Sequence, residues 1–305
     1  MRSFEWIGFH KLMRTFSIEG YVVNDEPLRV GAGKEAGLFE PIDLVVLKVS
    51  IPKKGLVPVI PGSTWKGTFR ATSVEIARSL GLSNICDGTP NSSCLQGKEF
   101  ESFETLRRSN EIEEKIKAIL DRKIKACLLC LIFGSPGMSS HVVFSDSYPE
   151  NFTLGYRTGI AIDRRTGAVT RRALFKVEYV EPGSRFKFRL IAENLPNYTL
   201  GLLAEVMELI NSGIVRIGGL KSRGFGLVHF EDLSIKVYST KHEAYGVHQG
   251  KLAPLDPIDM EVKWYGQEGL LAISSGDYAK RVLGELREAW RSSLNVLRKV
   301  SEENW

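Results

Sequence analysis

Four thiols and one bare, basic loop are the places where this sequence can do chemistry. Cys86, Cys94, Cys127 and Cys130 are the only cysteines in the 305-residue chain. Cys127 and Cys130 form a C-x2-C pair, a usual spacing for zinc ligands. Cys86 and Cys94 lie eight residues apart across a loop containing Asp87, Gly88, Pro90 and Asn91. Four thiolates make a closed tetrahedral shell, so such a site is a structural zinc with no open position for catalysis. It would staple a segment that has little core of its own. Two other readings stand beside it. Cys127 and Cys130 sit at helical spacing in the apolar run CLLCLIF, as core cysteines do, and disulfides form in a hyperthermophile cytosol.

The loop is GGLKSRGFG, residues 218–226, set between apolar segments. Glycines admit positive φ and close approach of a ligand, and successive backbone N–H groups can cradle an anion. Gly219, Lys221, Ser222 and Arg223 are the candidate contacts, arginine being able to grip a phosphate bidentately. The pattern is neither a P-loop nor a dinucleotide fingerprint, because a strand follows it rather than a helix. Alone, it reads equally well as a tight turn. A second small-residue turn with cations, IPGSTWKGTFR at 60–70, opens a helix whose Lys66 and Arg70 share one face. A third basic element, TGIAIDRRTGAVTRRALF, carries Arg164 and Arg165 at its turn. Three separated basic elements suit an extended phosphate chain better than one small ligand.

Charge placement agrees. The whole chain is +5, and residues 157–176 alone hold six cations against Asp163, again +5. Residues 44–74 hold five cations and no acid; of these, Lys53 and Lys54 read as solvated surface. Such local patches attract polyanions even when global charge is modest.

These residues need a scaffold, and hydrophobic patterning supplies one. With 43% hydrophobic residues the chain can bury one large core or two smaller ones. The N-terminus lacks the apolar core of a signal peptide and CLLCLIF is too short to span a bilayer, which implies a soluble, cytoplasmic protein. Strands are expected at 12–23, 44–51 (buried), 141–148, in a hairpin over 157–179, at 185–194 and at 225–238. Helices are expected from Ser63 or Thr64 as N-cap to about Leu80, over 98–125, over 199–213 with Gly213 as stop, and over 277–300. The last has a face of Tyr278, Val282, Leu286, Trp290, Leu294 and Leu297, and residues 239–268 read as turn-rich. The alternation gives an α+β fold of the ferredoxin-like kind, helices on one face of an antiparallel sheet.

Several of these segments are similar to known ones. IPGSTWKGTFR resembles the PGSSLKG-type segment of the CRISPR-associated RAMP superfamily, and GGLKSRGFG resembles its glycine-rich loop. LFEPIDLVVLK, FGS…HVVFSDSYP and RTGIAIDRRTGAVTRRALFKVEYVEPG resemble, in order, the guide-binding backbone subunits of type III (Csm/Cmr-type) effector complexes. The resemblance implies a modified RRM core over 1–240, with a β-hairpin thumb and a Cys-containing helical insertion at about 82–135. A C-terminal helical extension occupies 241–305. It implies a subunit that polymerises along guide crRNA beside copies of itself, paralogous backbone subunits and other complex members. It also implies cleavage of paired target RNA at regular intervals. Lys66 and Arg70 would hold guide phosphates, with Gly219, Lys221, Ser222 and Arg223 on the loop and Arg164 and Arg165 at the thumb. Asp43 falls on the family's catalytic aspartate, a metal-dependent endoribonuclease centre that would use a divalent cation such as Mg²⁺. Here Leu44 and Val45 replace the Asn-Pro common in relatives. The alternatives are a catalytically inactive structural subunit, or a stand-alone ribonuclease that processes precursor crRNA with His10 as base.

Overall fold

The computed structural model describes residues 4–31, 42–89, 92–94, 126–136, 138–162, 165 and 169–303. The helix expected over 98–125 lies outside the described residues. The central element is a five-stranded antiparallel sheet. It contains β1 (Thr15–Asn24), β4 (Val142–Phe144), β7 (Arg185–Glu193), β8 (Val228–Tyr238) and β12 (Leu271–Ser275), in the order β12-β8-β1-β7-β4. Helix α1 (Gly62–Ser79) connects β1 to β4, and α3 (Asn197–Asn211) connects β7 to β8. Leaving β12 aside, the order 4-1-3-2 of a β-α-β-β-α-β unit results: the ferredoxin-like fold expected from the sequence.

Alternation, broken on β1 by a bulge, makes one face of this sheet the core. Phe16, Ala192 and Val237 line up across three strands, followed by Ile18, Leu190 and Ile235, and then by Val22, Phe186 and Phe230. All nine are buried. Trp65 of α1 packs edge-on to Phe188 at 5.2 Å and donates its indole N–H to Ser147 Oγ at 2.9 Å. The opposite face carries Glu19, Tyr21, Lys187 and Arg189, with Glu19 bridged to Arg189 and Lys236. The register slips between Glu19 and Tyr21 opposite β8, where Asp232 takes φ +49°. Gly20 faces this bulge, and a β-carbon there would lie 2.7 Å from Glu231 O.

The first expected strand of the basic region breaks in two. Residues 44–51 do not form a buried strand. Leu44 and Val46 make single bridges to Val177 and Gly31, while β2 (Lys48–Ile51) turns back on β3 (Gly55–Pro58) as a half-exposed hairpin. The thumb forms as expected, β5 (Leu154–Ile162) pairing with β6 (Val169–Val180). Glycines on β5 lie under aromatic rings of β6: a β-carbon at Gly159 would meet the Phe175 ring at 2.2 Å, and one at Gly155 the Tyr179 ring at 2.7 Å.

The C-terminal segment folds onto this core. Its turn-rich part contains α4 (His242–Tyr245) and a small sheet of β9 (Val247–His248), β10 (Lys251–Leu252) and β11 (Val262–Lys263). Helix α5 (Asp277–Glu303) then packs along α3. Gly201 of α3 sits so close that a β-carbon would lie 2.0 Å from Leu286 O. The buried face of α5 is Ala279, Val282, Leu286, Trp290 and Leu297, whereas Tyr278 is 55% exposed and faces solvent, contrary to expectation. At its far end Arg298 Nε donates to Leu80 O at 2.7 Å, and Asn84 Nδ2 donates to Ser301 O at 3.0 Å.

A buried polar network joins this segment to both ends of the core. Arg14, fully buried, donates to Ala253 O and Asn197 Oδ1, each at 2.7 Å, and to Leu195 O. Asp259 accepts N–H groups from Asn197 and Tyr198 in the first turn of α3, at 3.0 and 3.3 Å, and from Leu255 at 2.8 Å. Burial lowers the Arg14 pKa to about 10, with Asp259 and Asp256 opposing. Burial raises that of Asp259 to about 6, with Arg14 opposing.

Candidate nucleic-acid interface and metal centre

The glycine loop is built on left-handed backbone. Leu220 and Gly224 take φ +58° and +74° and bracket a single 3-10 turn, Lys221–Arg223. This lifts Lys221, Ser222 and Arg223 into solvent, while Leu220 points back into a small apolar cluster of Val177, Tyr179 and Phe225, flanked by Phe175 and Leu44. Gly219 N–H donates to Arg29 O at 2.8 Å, and a β-carbon at Gly218 would lie 2.3 Å from that same oxygen. The glycines therefore let the loop seat directly on residues 29–31.

That small cluster brings three sequence-predicted elements together. The thumb contributes Val177 and Tyr179 from β6, the glycine loop contributes Phe225 and Leu220, and the Asp43 segment contributes Leu44. Cations surround it. The Arg157 guanidinium lies 5.3 Å from the Phe225 ring and 5.7 Å from that of Tyr179, and Arg223 lies 5.9 Å from Phe175. Asp43 is exposed, and its Oδ2 accepts the Lys176 N–H at 2.8 Å. Its segment is fixed by Glu178, a buried carboxylate that accepts Val46 N–H at 3.0 Å and pairs with Lys48 at 2.6 Å. Arg165 is exposed on the thumb; Arg164 lies outside the described residues.

Sequence reasoning missed Arg29. A β-carbon at Gly31 would lie 2.9 Å from its guanidinium and one at Gly219 3.2 Å, so both glycines leave it room. Its Nε is buried with no hydrogen-bond partner among the described residues, and burial lowers its pKa with no carboxylate offsetting this. Gly31 two residues after a cation was the available signal, but only the fold brings Gly219 to it.

Lys66 and Arg70 stand apart from this cluster, on α1. Burial, and then the charge of Arg70, lowers the Lys66 pKa. The helix starts at Gly62 with Pro61 as N-cap and no side-chain cap, rather than at Ser63 or Thr64. Asp146 accepts the Gly62 N–H at 2.8 Å, so the helix N-terminus already carries a carboxylate. Arg70 turns inward, its Nη1 donating to Gly134 O at 2.7 Å.

The four cysteines converge as expected. Their Sγ atoms all lie within 4.8 Å of one another and could hold a metal ion. The Cys86 Sγ is 3.1 Å from that of Cys130 and 3.6 Å from that of Cys127. Tetrahedral Zn–S bonds of about 2.3 Å put sulfurs roughly 3.8 Å apart, so the donor set fits. Cys127 is the N-cap of α2 (Leu128–Phe133), and Cys130 lies within it. Contact with Cys127 lowers Cys86 strongly and Cys130 to about 7, while the neighbouring thiols push Cys94 and Cys127 up. Thiols packed this closely cannot all ionise unless a cation neutralises them.

Among the described residues, no helix is long and apolar enough to cross a membrane. The model of one family, the RAMP superfamily, matches residues 25–229. No curated protein matches the chain.

Proposed function

Because the chain belongs to the RAMP superfamily, CRISPR-associated proteins that bind RNA in multi-subunit complexes, we propose that it is a guide-RNA-binding backbone subunit of a type III effector. The observation that carries this reading is the shared cluster, in which glycine loop, thumb and Asp43 segment meet at Val177, Tyr179 and Phe225. Its rim offers cations for phosphates in Arg29, Arg157, Lys221 and Arg223, with Lys66 on α1 and Arg164 and Arg165 on the thumb as further contacts. Phe175, part-exposed at the edge of the cluster, offers an aromatic face for a base. The partners are guide crRNA, complementary target RNA and neighbouring backbone subunits, in the cytoplasm. Residues 1–240 form the RNA-binding core and 241–305 the extension that buttresses it. A structural zinc is held by Cys86, Cys94, Cys127 and Cys130.

Target cleavage is assigned to Asp43. Its exposed carboxylate would hold a divalent cation such as Mg²⁺, which when bound polarises a phosphate. The chain's own part is to orient that carboxylate, through the Lys176 N–H and the Glu178 clamp, beside the RNA-binding rim. One observation favours the non-catalytic reading: Asp43 Oδ2 is already engaged by Lys176, leaving Oδ1 to act.

Two measurements test these assignments. An assembled complex loaded with guide and given labelled complementary RNA plus Mg²⁺ should produce regularly spaced cuts. Asp43→Ala should slow them by about 3 kcal/mol, roughly a hundredfold, with target binding retained. Cuts that persist at full rate would leave an RNA-binding scaffold without this catalytic centre. Separately, Arg29→Ala or Arg223→Ala should each weaken guide binding about five- to tenfold and reduce the salt slope by about 0.7, the counterion release of one single-strand phosphate contact. An unchanged slope would remove that arginine from the interface.

A further inference from the structure

Arg70 lies one helical turn after Lys66, in the segment that most resembles an RNA-binding motif, yet its side chain is committed elsewhere. Nη1 donates to Gly134 O at 2.7 Å, and Nη2 donates to Cys130 Sγ at 3.4 Å. Gly88, between Cys86 and Cys94, lies against the same guanidinium. Gly88 has φ +71°, and a β-carbon there would fall 1.9 Å from Nη2 and 2.0 Å from Cζ. One guanidinium thus touches both halves of the cysteine cluster: the loop of Cys86 and Cys94, and the helix of Cys127 and Cys130. The N–H···S geometry is that of a charge-assisted contact to a thiolate.

Charge gives the contact a purpose. Four thiolates around a divalent cation keep a net charge of −2, in a site where Cys127 and Cys130 are 1% and 0% exposed. A cation donating to one sulfur offsets part of that charge and fixes the ligand's direction, which is how residues outside the ligand shell tune metal sites. We propose that Arg70 is a positioning residue of a four-thiolate metal centre, its charge serving Cys130 rather than an RNA phosphate. The proposal rests on the structural-zinc reading. It separates two neighbouring cations of α1: Lys66 serves the RNA, Arg70 the metal.

The test uses the full-length chain, with Co²⁺ as probe for its sulfur-to-metal charge-transfer bands, and single-stranded RNA of guide length at graded salt. Arg70→Met should weaken Co²⁺ binding about tenfold, the low end of what loss of an outer partner costs a metal site, and leave the RNA salt slope unchanged. Lys66→Met should do the reverse, reducing the slope by about 0.7 with metal affinity intact. Arg70→Lys keeps the charge but not the two-pronged donation. It should fall between wild type and Arg70→Met, and it carries the test if the methionine variant does not fold. Metal affinity within about twofold of wild type in both variants, or an RNA slope that falls as it does for Lys66→Met, overturns the assignment of Arg70. A wild-type chain that takes up no Co²⁺ or Zn²⁺ overturns the metal reading, and this one with it.

Discussion

Withdrawing the metal, by chelator or by the double substitution Cys127→Ser and Cys130→Ser, will release α2 from the loop of Cys86 and Cys94 and lower the unfolding temperature by more than about 10 °C. Structural zinc contributes on the order of 10–16 kcal/mol of apparent binding free energy in small zinc-dependent units. Here the surrounding core keeps part of the structure without it, so the loss is smaller than that ceiling. What depends most on the proposed metal is the loop of Cys86 and Cys94, whose cysteines are only part-buried, whereas all six residues of α2 are buried in the main core. The checks are elemental analysis of protein purified without chelator, which should give about one zinc per chain, and a thermal melt with and without chelator. No zinc, or a melt indifferent to chelation, would return the cysteines to the core-thiol reading.

Replacing Arg14 with leucine will cost about 3–5 kcal/mol, because it strands buried partners rather than removing one contact. Asp259 loses the charge that opposes its burial, and Asn197 Oδ1 and the carbonyls of Leu195 and Ala253 lose their donor. The loss will depend on pH. The folded-state pKa of Asp259 is raised to about 6 from 3.8, so the native state binds its proton more tightly than the unfolded chain does. Stability linked to this group is therefore greatest below the ordinary carboxylate range and is lost as pH rises through about 6. Without Arg14 the pKa climbs further, and the deficit of the variant shrinks on acidification. Urea titrations of both proteins at pH 5 and pH 7.5 measure this; a deficit equal at the two pH values would mean that Arg14 acts through packing and its neutral acceptors and not through Asp259.

How much of this was legible beforehand depended on the range of the interactions. Local patterns carried far: the run TLGLLAEVMELINSG became α3 with Gly213 at φ +73° behind it, RFKFRLIAEN became β7, and the thumb hairpin formed as its RRTG turn suggested. The convergence of the four cysteines was readable because all lie between residues 86 and 130 and two form a C-x2-C pair. What failed was anything that needed a distant partner. Leu44 and Val46 read as a buried strand, but their edges are claimed by Val177 and Gly31. Residues 239–268 are turn-rich as read, and the two-residue strands within them leave no period to detect. Arg70 reads locally as a phosphate ligand, and only the fold shows Gly134 O and Cys130 Sγ within its reach. Arg14 and Arg29 carry ordinary charge in the sequence, and only the fold shows one hydrogen-bonded to buried carbonyls and the other with its Nε unpartnered among the described residues.

The hold of α5 on Leu80 and Asn84 has a consequence for the order in which this protein is made. Cys86 to Cys130 leave the ribosome long before Arg298 and Ser301 exist. The four thiols can meet, and take a metal, on a nascent chain, but the residues leading into their loop have no C-terminal partner until the last helix has been synthesised and docked on α3. The cysteine unit is therefore expected to form in two stages, convergence of the thiols first and seating against α5 later. A chain shortened by its final turns could assemble the first stage and still lack the second.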